Sequence, residues 1–491
     1  MCGIFGGYNL SFNEAKKGIE LIKRGNDGIS IDKLNEDIIF TARRHAIKFS
    51  GNEKNLLGRS DQPYYSKDKN IALIFNGEFY NFKEYKANLE NHGINFFSEG
   101  DTEVLLRLYE KYGINFLRDK KIDSLYSIAI FDKKLNKIFI SRDWPGRIPL
   151  YYYSDNKRFI FSSELKAFKS IKDLSLQSPI ELKPGAILEF DIKSKKINLL
   201  SNYPLQPHIS KNSDDILKLG AEMHKVLDES AKNRTMGDVP ICTMLSGGID
   251  SVLTTFYVLK NINFKKVDYQ PTSYVFKVKG FDSIDVKTAK VASLGFEKIG
   301  LKLKIIEADG QQIVNDMPKI VETFEMRDLK ALSFYPLPIY WYLAPKMNAD
   351  GFKVTIGGHG VDELLGAYTA WKELKTSHEA QIKLRSRKAF INNIYNNMLK
   401  RASIIFMNRG PIEARFPFLN QNVCEFMLGI DPKWLSLNKR NAEIMLSIIE
   451  DSKLEENLKK IYNNLKIYLK SEKDFFNDVN EEEILDIEKI F

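Results

Sequence analysis

Apolar and polar positions change texture partway along the chain. In the first part, apolar runs are short and separated by turn residues, the pattern of antiparallel strands. "NIALIFNGEFYNF" (70–82) reads as an apolar strand that ends at Asn76-Gly77. "LYSIAIFD" and "KIFISRD" read as a hairpin turning around Lys133–Asn136. "TEVLLRLYEKYG" (102–113) has apolar residues at helical spacing and closes on a glycine, which predicts a helix. "SNYPLQPHISKNSDD" (201–215) is rich in Pro, Ser, Asn and Asp and reads as a linker. Beyond it, strand and helix patterns alternate: "VPICTML", "SVLTTFYVLKNI", "TSYVFKV" and "DVKTAKVASLGF". That alternation predicts a parallel sheet flanked by helices, hence an α/β class. From about residue 375 the pattern is mainly helical and strongly charged, and no internal repeat is visible. The expected division is two domains, 1–205 and 206–491.

Composition narrows the class. A chain of 491 residues with 43% hydrophobic and 28% charged residues fits a soluble globular protein of two to four domains. No apolar run approaches the roughly 18 residues of a membrane span, and no secretory signal pattern opens the chain. Cys2, Cys242 and Cys424 are odd in number and far apart, without a CxxC pair. This argues against a disulfide framework or a zinc site and for a reducing, cytoplasmic setting. The net charge of +9 has two readings: a lysine-rich solvated surface, or a face for an anion such as a nucleotide or nucleic acid.

Two stretches carry candidate chemistry. "MCGIFGGY" puts a cysteine directly behind Met1. Chance placement is one reading. The other is that removal of Met1 leaves a terminal cysteine whose α-amine, ordinarily titrating at about 7.7–8.0, serves as base for its own thiol. "MLSGGIDS" (244–251) lies between an apolar strand and a helix. A glycine-rich turn there leaves backbone N–H groups free at a helix N-terminus, an anion site. Gly247 and Gly248 permit close approach of phosphate oxygens, and Asp250 is within reach of a magnesium ion on those phosphates. The Walker Lys-Ser/Thr is absent, which excludes a kinase or GTPase P-loop; the SGGxDS form is similar to the pyrophosphate loop of enzymes that split ATP between the α and β phosphates.

Cys2 and SGGIDS together resemble the glutamine-dependent asparagine synthetase family over nearly the whole chain. The resemblance implies a four-layer αββα domain of the N-terminal-nucleophile type, a class II glutaminase, followed by an ATP-pyrophosphatase domain with a parallel sheet. Cys2 would attack the glutamine side-chain amide, and the ammonia freed would pass through an internal tunnel to an acyl-adenylate. "RGNDG" (24–28) is similar to the family's Arg-Gly-Pro-Asp segment, with Asn26 in place of proline. "RRHAI" (43–47) assigns Arg44 to the glutamine carboxylate, where a bidentate fork is wanted. "NGEFYN" (76–81) implies that the Asn76 side chain and the Gly77 N–H form the oxyanion hole. Glu78 and Asp101 would hold the glutamine α-ammonium. "SRDWPGRIPLYYY" (141–153) and "FSSELKAF" (161–168) match stretches that are mostly structural. In the second half the resemblance carries Ser246, Gly247, Gly248, Asp250 and Ser251 onto the pyrophosphate loop. It puts Phe276 at the adenine contact, Asp285 at a helix start and Gly358 near the ribose. Asp362 would share magnesium with Asp250, Glu363, retained in the same stretch, would fall at the acceptor site with Lys330 and His359, and Lys473 is the lysine assigned to the pyrophosphate leaving group. The implied cofactors are ATP and Mg2+; the implied partners are glutamine, ATP and a small carboxylate acceptor, with no membrane, no nucleic acid, and a homodimer left open.

Departures from the family gather where the acceptor should lie. His359 stands at the glutamate of Gly-Glu-Gly, Val361 at a serine two places on, and Lys330 at an expected arginine. An Arg-to-Lys exchange at a forked carboxylate site is not conservative, and Glu to His changes both charge and proton-transfer group. The leading reading is therefore a glutamine- and ATP-dependent amidation of a carboxylate other than aspartate, with aspartate as the alternative. A β-lactam-forming cyclase shares the fold, but has no use for Cys2, Arg44, Asn76 and Asp101. A nucleotide- or nucleic-acid-binding relative without catalysis rests on net charge alone.

Overall fold

A computed structural model describes residues 1–47, 61–201, 216–262, 269–281, 283–296, 300–325, 336–361, 364 and 400–431. The expected linker, all but its first residue, and most of the charged region after 375 lie outside this range, as do Lys330, Asp362, Glu363 and Lys473.

Residues 3–201 supply twelve described strands. These are β1 (Gly3–Tyr8), β2 (Ile29–Lys33), β3 (Ile38–Arg43), β4 (Tyr64–Tyr65), β5 (Ile71–Phe79) and β6 (Ser124–Asp132), then β7 (Lys137–Arg142), β8 (Tyr151–Ser154), β9 (Phe159–Ser162), β10 (Ile180–Glu181), β11 (Ile187–Asp191) and β12 (Lys196–Ser201). They form two six-stranded sheets, ordered β10-β8-β9-β1-β3-β2 and β12-β11-β7-β6-β5-β4. The sheets face each other across a core containing Ile4, Phe40 and Phe161 from one and Ile74, Ala129 and Ile140 from the other. Helix α1 (Phe12–Leu21) covers the first sheet, with Ala15 and Ile19 beside Phe5. Helices α2 (Phe82–Asn91) and α3 (Asp101–Tyr112) cover the second, with Val104 and Leu108 beside Leu73 and Phe75. The result is the expected αββα stack.

Strand β5 shows why its sequence is apolar throughout. Side chains alternate faces along a strand: Ile74 enters the core between sheets, while Leu73 and Phe75 enter the core under the helices. The strand does not end at Asn76-Gly77. It runs on to Phe79, paired with β6 through Asn76↔Ser127 and Gly77↔Tyr126. A Cβ on Gly77 would lie 2.0 Å from the Leu125 carbonyl oxygen, so the glycine serves close strand approach and not a turn. The β6–β7 hairpin turns over residues 133–136, as expected, with Asn136 at φ 57°.

The second unit is a parallel sheet of β13 (Ile241–Met244), β14 (Thr272–Val278), β15 (Lys302–Ala308), β16 (Val354–Ile356) and β17 (Glu413–Arg415), ordered β15-β14-β13-β16-β17. Its described helices are α4 (Ile216–Arg234), α5 (Ile249–Asn261), α6 (Ile284–Gly295), α7 (Gly310–Phe324), α8 (Leu337–Ala349), α9 (Lys400–Arg409) and α10 (Gln421–Gly429). Successive strands go one way from β13 to β14 and β15, then the other way to β16 and β17. The crevice between β13 and β16 at their C-terminal ends is therefore a topological switch point, the usual ligand position in open α/β sheets.

Buried polar contacts join the units. Arg234 at the end of α4 forks onto Asp123, ahead of β6, at 2.5 and 2.8 Å. Asn408 of α9 donates to Glu164 at 2.7 Å, and Glu164 also accepts from Arg24 at 2.8 Å. Removing one member of such a buried pair costs about 3–5 kcal/mol, because the other is left charged and unpaired.

Candidate active sites at two ends of one sheet

Cys2 stands immediately before β1, the strand held between β3 and β9. It opens on a cavity of about 440 Å³ that Arg44, Gly77, Glu78 and Asp101 also line. Five of the six residues expected to handle glutamine thus share one cavity. The "RGNDG" turn shapes its wall. Gly25 has φ +75°, and a Cβ there would fall 2.2 Å from the Arg44 carbonyl oxygen; Asp27 N–H donates to that same oxygen at 3.1 Å, and Arg44 N–H donates to Gly28 O at 2.8 Å. The neighbouring Arg43 is spent on structure, donating to Gly25 O and Ile22 O, which leaves Arg44 as the cavity's guanidinium.

Asn76 is the exception. It is fully buried, its amide nitrogen donates to Ser163 Oγ at 3.1 Å and Ser127 Oγ at 3.4 Å, and it is not among the cavity-lining residues. A half-turn of the amide would let the serine hydroxyls donate to Oδ1 and release the nitrogen. Ser163 also accepts from Ile4 N–H at 3.0 Å, so it ties Asn76 to the strand that carries Cys2. Burial pushes the Cys2 thiol up; the chain's terminal ammonium and the His45 N–H, 3.5 Å from Sγ, pull it down, and Glu78 pushes it up again. Met1 is in place in this structure, buried, with its ammonium 2.6 Å from Glu413.

The second candidate site is the turn between β13 and α5. Gly248 is the N-cap of α5 without a side-chain cap, so the helix presents backbone N–H groups to the crevice. Ser251 Oγ accepts from Ser246 N–H and Gly247 N–H, each at 3.2 Å, and donates to Gly248 O at 2.9 Å. Gly247 has φ +85°, and Thr288 of α6 closes over it, donating its hydroxyl to Ser246 O at 2.6 Å. The loop after β16 meets this turn from across the crevice: a Cβ on Gly358 would be 2.7 Å from the carbonyl carbon of Asp250. Phe276 stacks its ring on Tyr342 at 5.7 Å. Pairing of β14 with β13 stops at Tyr274 but continues with β15 to Val278, so the backbone at Phe276 extends beyond the end of β13, beside the glycine turn. His359 lies in the β16 loop, its Nε2 2.7 Å from Tyr340 OH and its ring 4.8 Å from that of Phe416. Among the described residues no group of three or more His, Cys, Asp or Glu could hold a metal by itself, and no described helix is long and apolar enough to cross a membrane.

The two sites sit at opposite ends of β16 and β17. At the N-terminal ends, Lys353 reaches Asp27 at 3.2 Å and Glu413 reaches the Met1 ammonium. At the C-terminal ends are Gly357, His359 and Phe416. Glu413 to Phe416 is three residues of extended chain, about 10 Å. Sequence reasoning missed Ser163, Thr288, Asp27 and His45 as positioning residues. All four lie in quoted stretches, but only the fold shows what their polar atoms touch.

A cysteine-bearing αββα unit packed on a parallel sheet with a glycine-rich turn is the arrangement expected of a two-domain amidotransferase. The glutamine amidotransferase domain profile matches residues 1–190, and the asparagine synthase profile matches residues 222–403. Similar proteins include a glutamine-hydrolysing asparagine synthetase of Zea mays, 28% identical over 88% of this chain and 71% of its own length. Asparagine synthetase B of Escherichia coli is 26% identical over 88% of this chain and 76% of its own. A putative asparagine synthetase of Methanocaldococcus jannaschii is 28% identical over 82% and 72%. The chain thus carries a glutamine amidotransferase domain followed by an asparagine synthase domain, and over most of its length it is similar to glutamine-hydrolysing asparagine synthetases, ligases that use glutamine as amido donor.

Proposed function

We propose that this chain amidates a small carboxylate other than free aspartate, drawing ammonia from glutamine at Cys2 and activating the acceptor with ATP at the 246–251 turn. The division lies at 205/206, and excision of Met1 gives Cys2 its own amine. The amine takes the thiol proton as Cys2 Sγ bonds to the glutamine amide carbon and passes it to the nitrogen as the C–N bond breaks, so that ammonia leaves; water then releases glutamate from the thioester and restores the thiol. Arg44 holds the glutamine carboxylate while Glu78 and Asp101 hold its ammonium; the Gly77 N–H and the Asn76 amide meet the developing oxyanion. At the other site an acceptor oxygen attacks the α-phosphorus and pyrophosphate leaves. Ammonia forms the new C–N bond, AMP departs with the C–O electrons, and the ammonium sheds a proton. Asp250 and Asp362 would hold a magnesium ion, which would screen the phosphate charge, with Lys473 on the leaving pyrophosphate. Three free cysteines suit a reducing, cytoplasmic setting.

His359 carries the acceptor reading. Its imidazole is fixed by Tyr340 OH and flanked by Phe416, beside the turn that Gly358 touches. A site built around an imidazole in place of a carboxylate leaves groups of the usual acceptor unpaired, and such mismatches discriminate by up to about 10⁴–10⁵. The test supplies glutamine, ATP and aspartate to the pure enzyme and assays asparagine against AMP. Little or no asparagine is expected. Rapid turnover with aspartate saturating at low millimolar concentration would make this an ordinary asparagine synthetase. An ATP–pyrophosphate exchange screen over carboxylic acids then finds the acceptor.

Asp250→Asn should lower that acceptor-dependent exchange about tenfold or more, since an amide oxygen is a poorer partner for a hard cation. Glutamate release from glutamine should survive. Full exchange activity in this variant would remove Asp250 from the metal site.

A further inference from the structure

Glu413 belongs to the second unit, yet its carboxylate ends beside the nucleophile of the first. It opens β17, where its N–H donates to Lys353 O at 2.8 Å and it pairs with Val354 of β16. Its side chain is fully buried. Arg415 Nε donates to Oε1 at 2.7 Å, and the same guanidinium donates to Arg234 O at 2.7 Å. The carboxylate is thereby fixed, with Oε2 directed at the Met1 nitrogen 2.6 Å away. Nothing in the reaction outlined above uses it.

Excision of Met1 changes what that oxygen faces. The nitrogens of successive residues are about 3–3.5 Å apart. The Cys2 nitrogen therefore lies one hydrogen-bond length beyond the position that the Met1 nitrogen holds. Removing one partner of a buried ion pair leaves an uncompensated charge, which is strongly destabilising. The α-amine that excision creates on Cys2 is the group placed to supply the missing partner.

We propose that Glu413 is the positioning residue for the α-amine of processed Cys2, holding it across the place that the Met1 nitrogen vacates. The proposal rests on the excision of Met1 and on Cys2 as the nucleophile. One water at that place bonds to both groups, as buried waters do between polar partners. When the amine takes the thiol proton, it becomes an ammonium in a buried setting that disfavours charge. A fixed carboxylate opposes that penalty, as the buried aspartate does for the imidazolium of a Ser-His-Asp triad. The proton passes from thiol to amine to the leaving nitrogen, and Glu413 stays ionised throughout. Against burial, the terminal ammonium and Arg415 pull its carboxyl down to about 2. Around the same point stand Glu78, Arg44, His45, Asp27 and Lys353. His45 is neutral there, because burial first and the terminal ammonium next push its imidazole down to about 3.

The experiment uses the full chain labelled with [1-13C]cysteine. The Cys2 carbonyl resonance, the one lost in Cys2→Ala, reports protonation of the amine on the adjoining α-carbon. Mass spectrometry checks that Met1 is gone; a chain that keeps it would overturn the excision reading and the proposal with it. In the processed chain, Glu413→Gln should lower the pKa of the Cys2 amine by about one unit or more, the effect of losing an opposite charge within about 4–6 Å. The acid limb of kcat for glutamate release should move down with it. On the alkaline plateau kcat should fall about three- to tenfold, while KM for glutamine holds, since Arg44, Glu78 and Asp101 are untouched. Should that variant not fold, Glu413→Asp, which draws the carboxylate back by one methylene, should move the titration the same way by less. An amine that titrates alike with and without the substitution, or a lower kcat with the pH profile in place, would overturn the proposal. Absence of glutamate release from the unsubstituted chain would instead overturn the Cys2 reading, and the amine titration would still decide whether Glu413 holds the amine.

Discussion

Cys2→Ala will abolish glutamate release from glutamine, by about three orders of magnitude or more, the scale seen when a nucleophile is removed. The same variant will keep acceptor-dependent ATP–pyrophosphate exchange and will make amide when ammonium salt replaces glutamine. The expectation follows from geometry. Cys2 shares its cavity with Arg44, Gly77, Glu78 and Asp101, whereas the 246–251 turn lies at the far, C-terminal end of the parallel sheet. No other cysteine can substitute, because Cys242 and Cys424 are buried in the second unit, where burial holds Cys242's thiol up at about 12 and pushes Cys424's still higher. Loss of both activities from a folded variant would contradict two separate sites.

Gly247→Ala is expected to do the reverse. A Cβ at this position would lie 2.3 Å from the Thr288 carbonyl carbon and 2.4 Å from its hydroxyl oxygen, at φ +85°. The conformation alone costs about 1–2 kcal/mol for a residue with a side chain, and the clash is with helix backbone that cannot move aside cheaply. The turn must therefore shift, and backbone N–H groups lose their aim at the phosphates. Exchange activity should fall about a hundredfold or more, a loss equivalent to about 2.7 kcal/mol in the transition state, while glutamate release continues. Gly248→Ala is the internal comparison: its φ is −64°, and the nearest atom to a new Cβ is Ser246 Oγ at 3.6 Å. It should lose far less. Equal losses in the two variants would show that the strain at Gly247 is not what shapes the turn.

What the sequence disclosed and what it hid follow from range. The β6–β7 hairpin, α3 and the strand–turn–helix around SGGIDS were legible because their signals are local: alternation, helical spacing, glycines at fixed places. Five of the six residues expected to handle glutamine come together because they fall in short quoted segments that the fold gathers around one cavity. The end of β5 was misread. Asn76-Gly77 is a turn signal when read locally, but pairing to β6 over nine residues keeps the strand extended. The ties between units were not legible. Asp27 meets Lys353, Glu164 meets Asn408 and Asp123 meets Arg234 across more than a hundred residues of chain, and no periodicity reports such pairs. Thr288 over Gly247 is hidden in the same way: the glycine's need is visible, its cause is not.

The central claim is that nitrogen from the glutamine side chain ends in an amide made at the expense of ATP cleaved to AMP. The direct measurement gives the enzyme [amide-15N]glutamine, ATP and each carboxylic acid of the exchange panel, with products read by mass spectrometry and nucleotides by chromatography. One acid, not aspartate, should be converted to a 15N-amide, with AMP and pyrophosphate formed in equal amounts. Label recovered only as free ammonium, with no AMP formed for any acid that supports exchange, would contradict the claim.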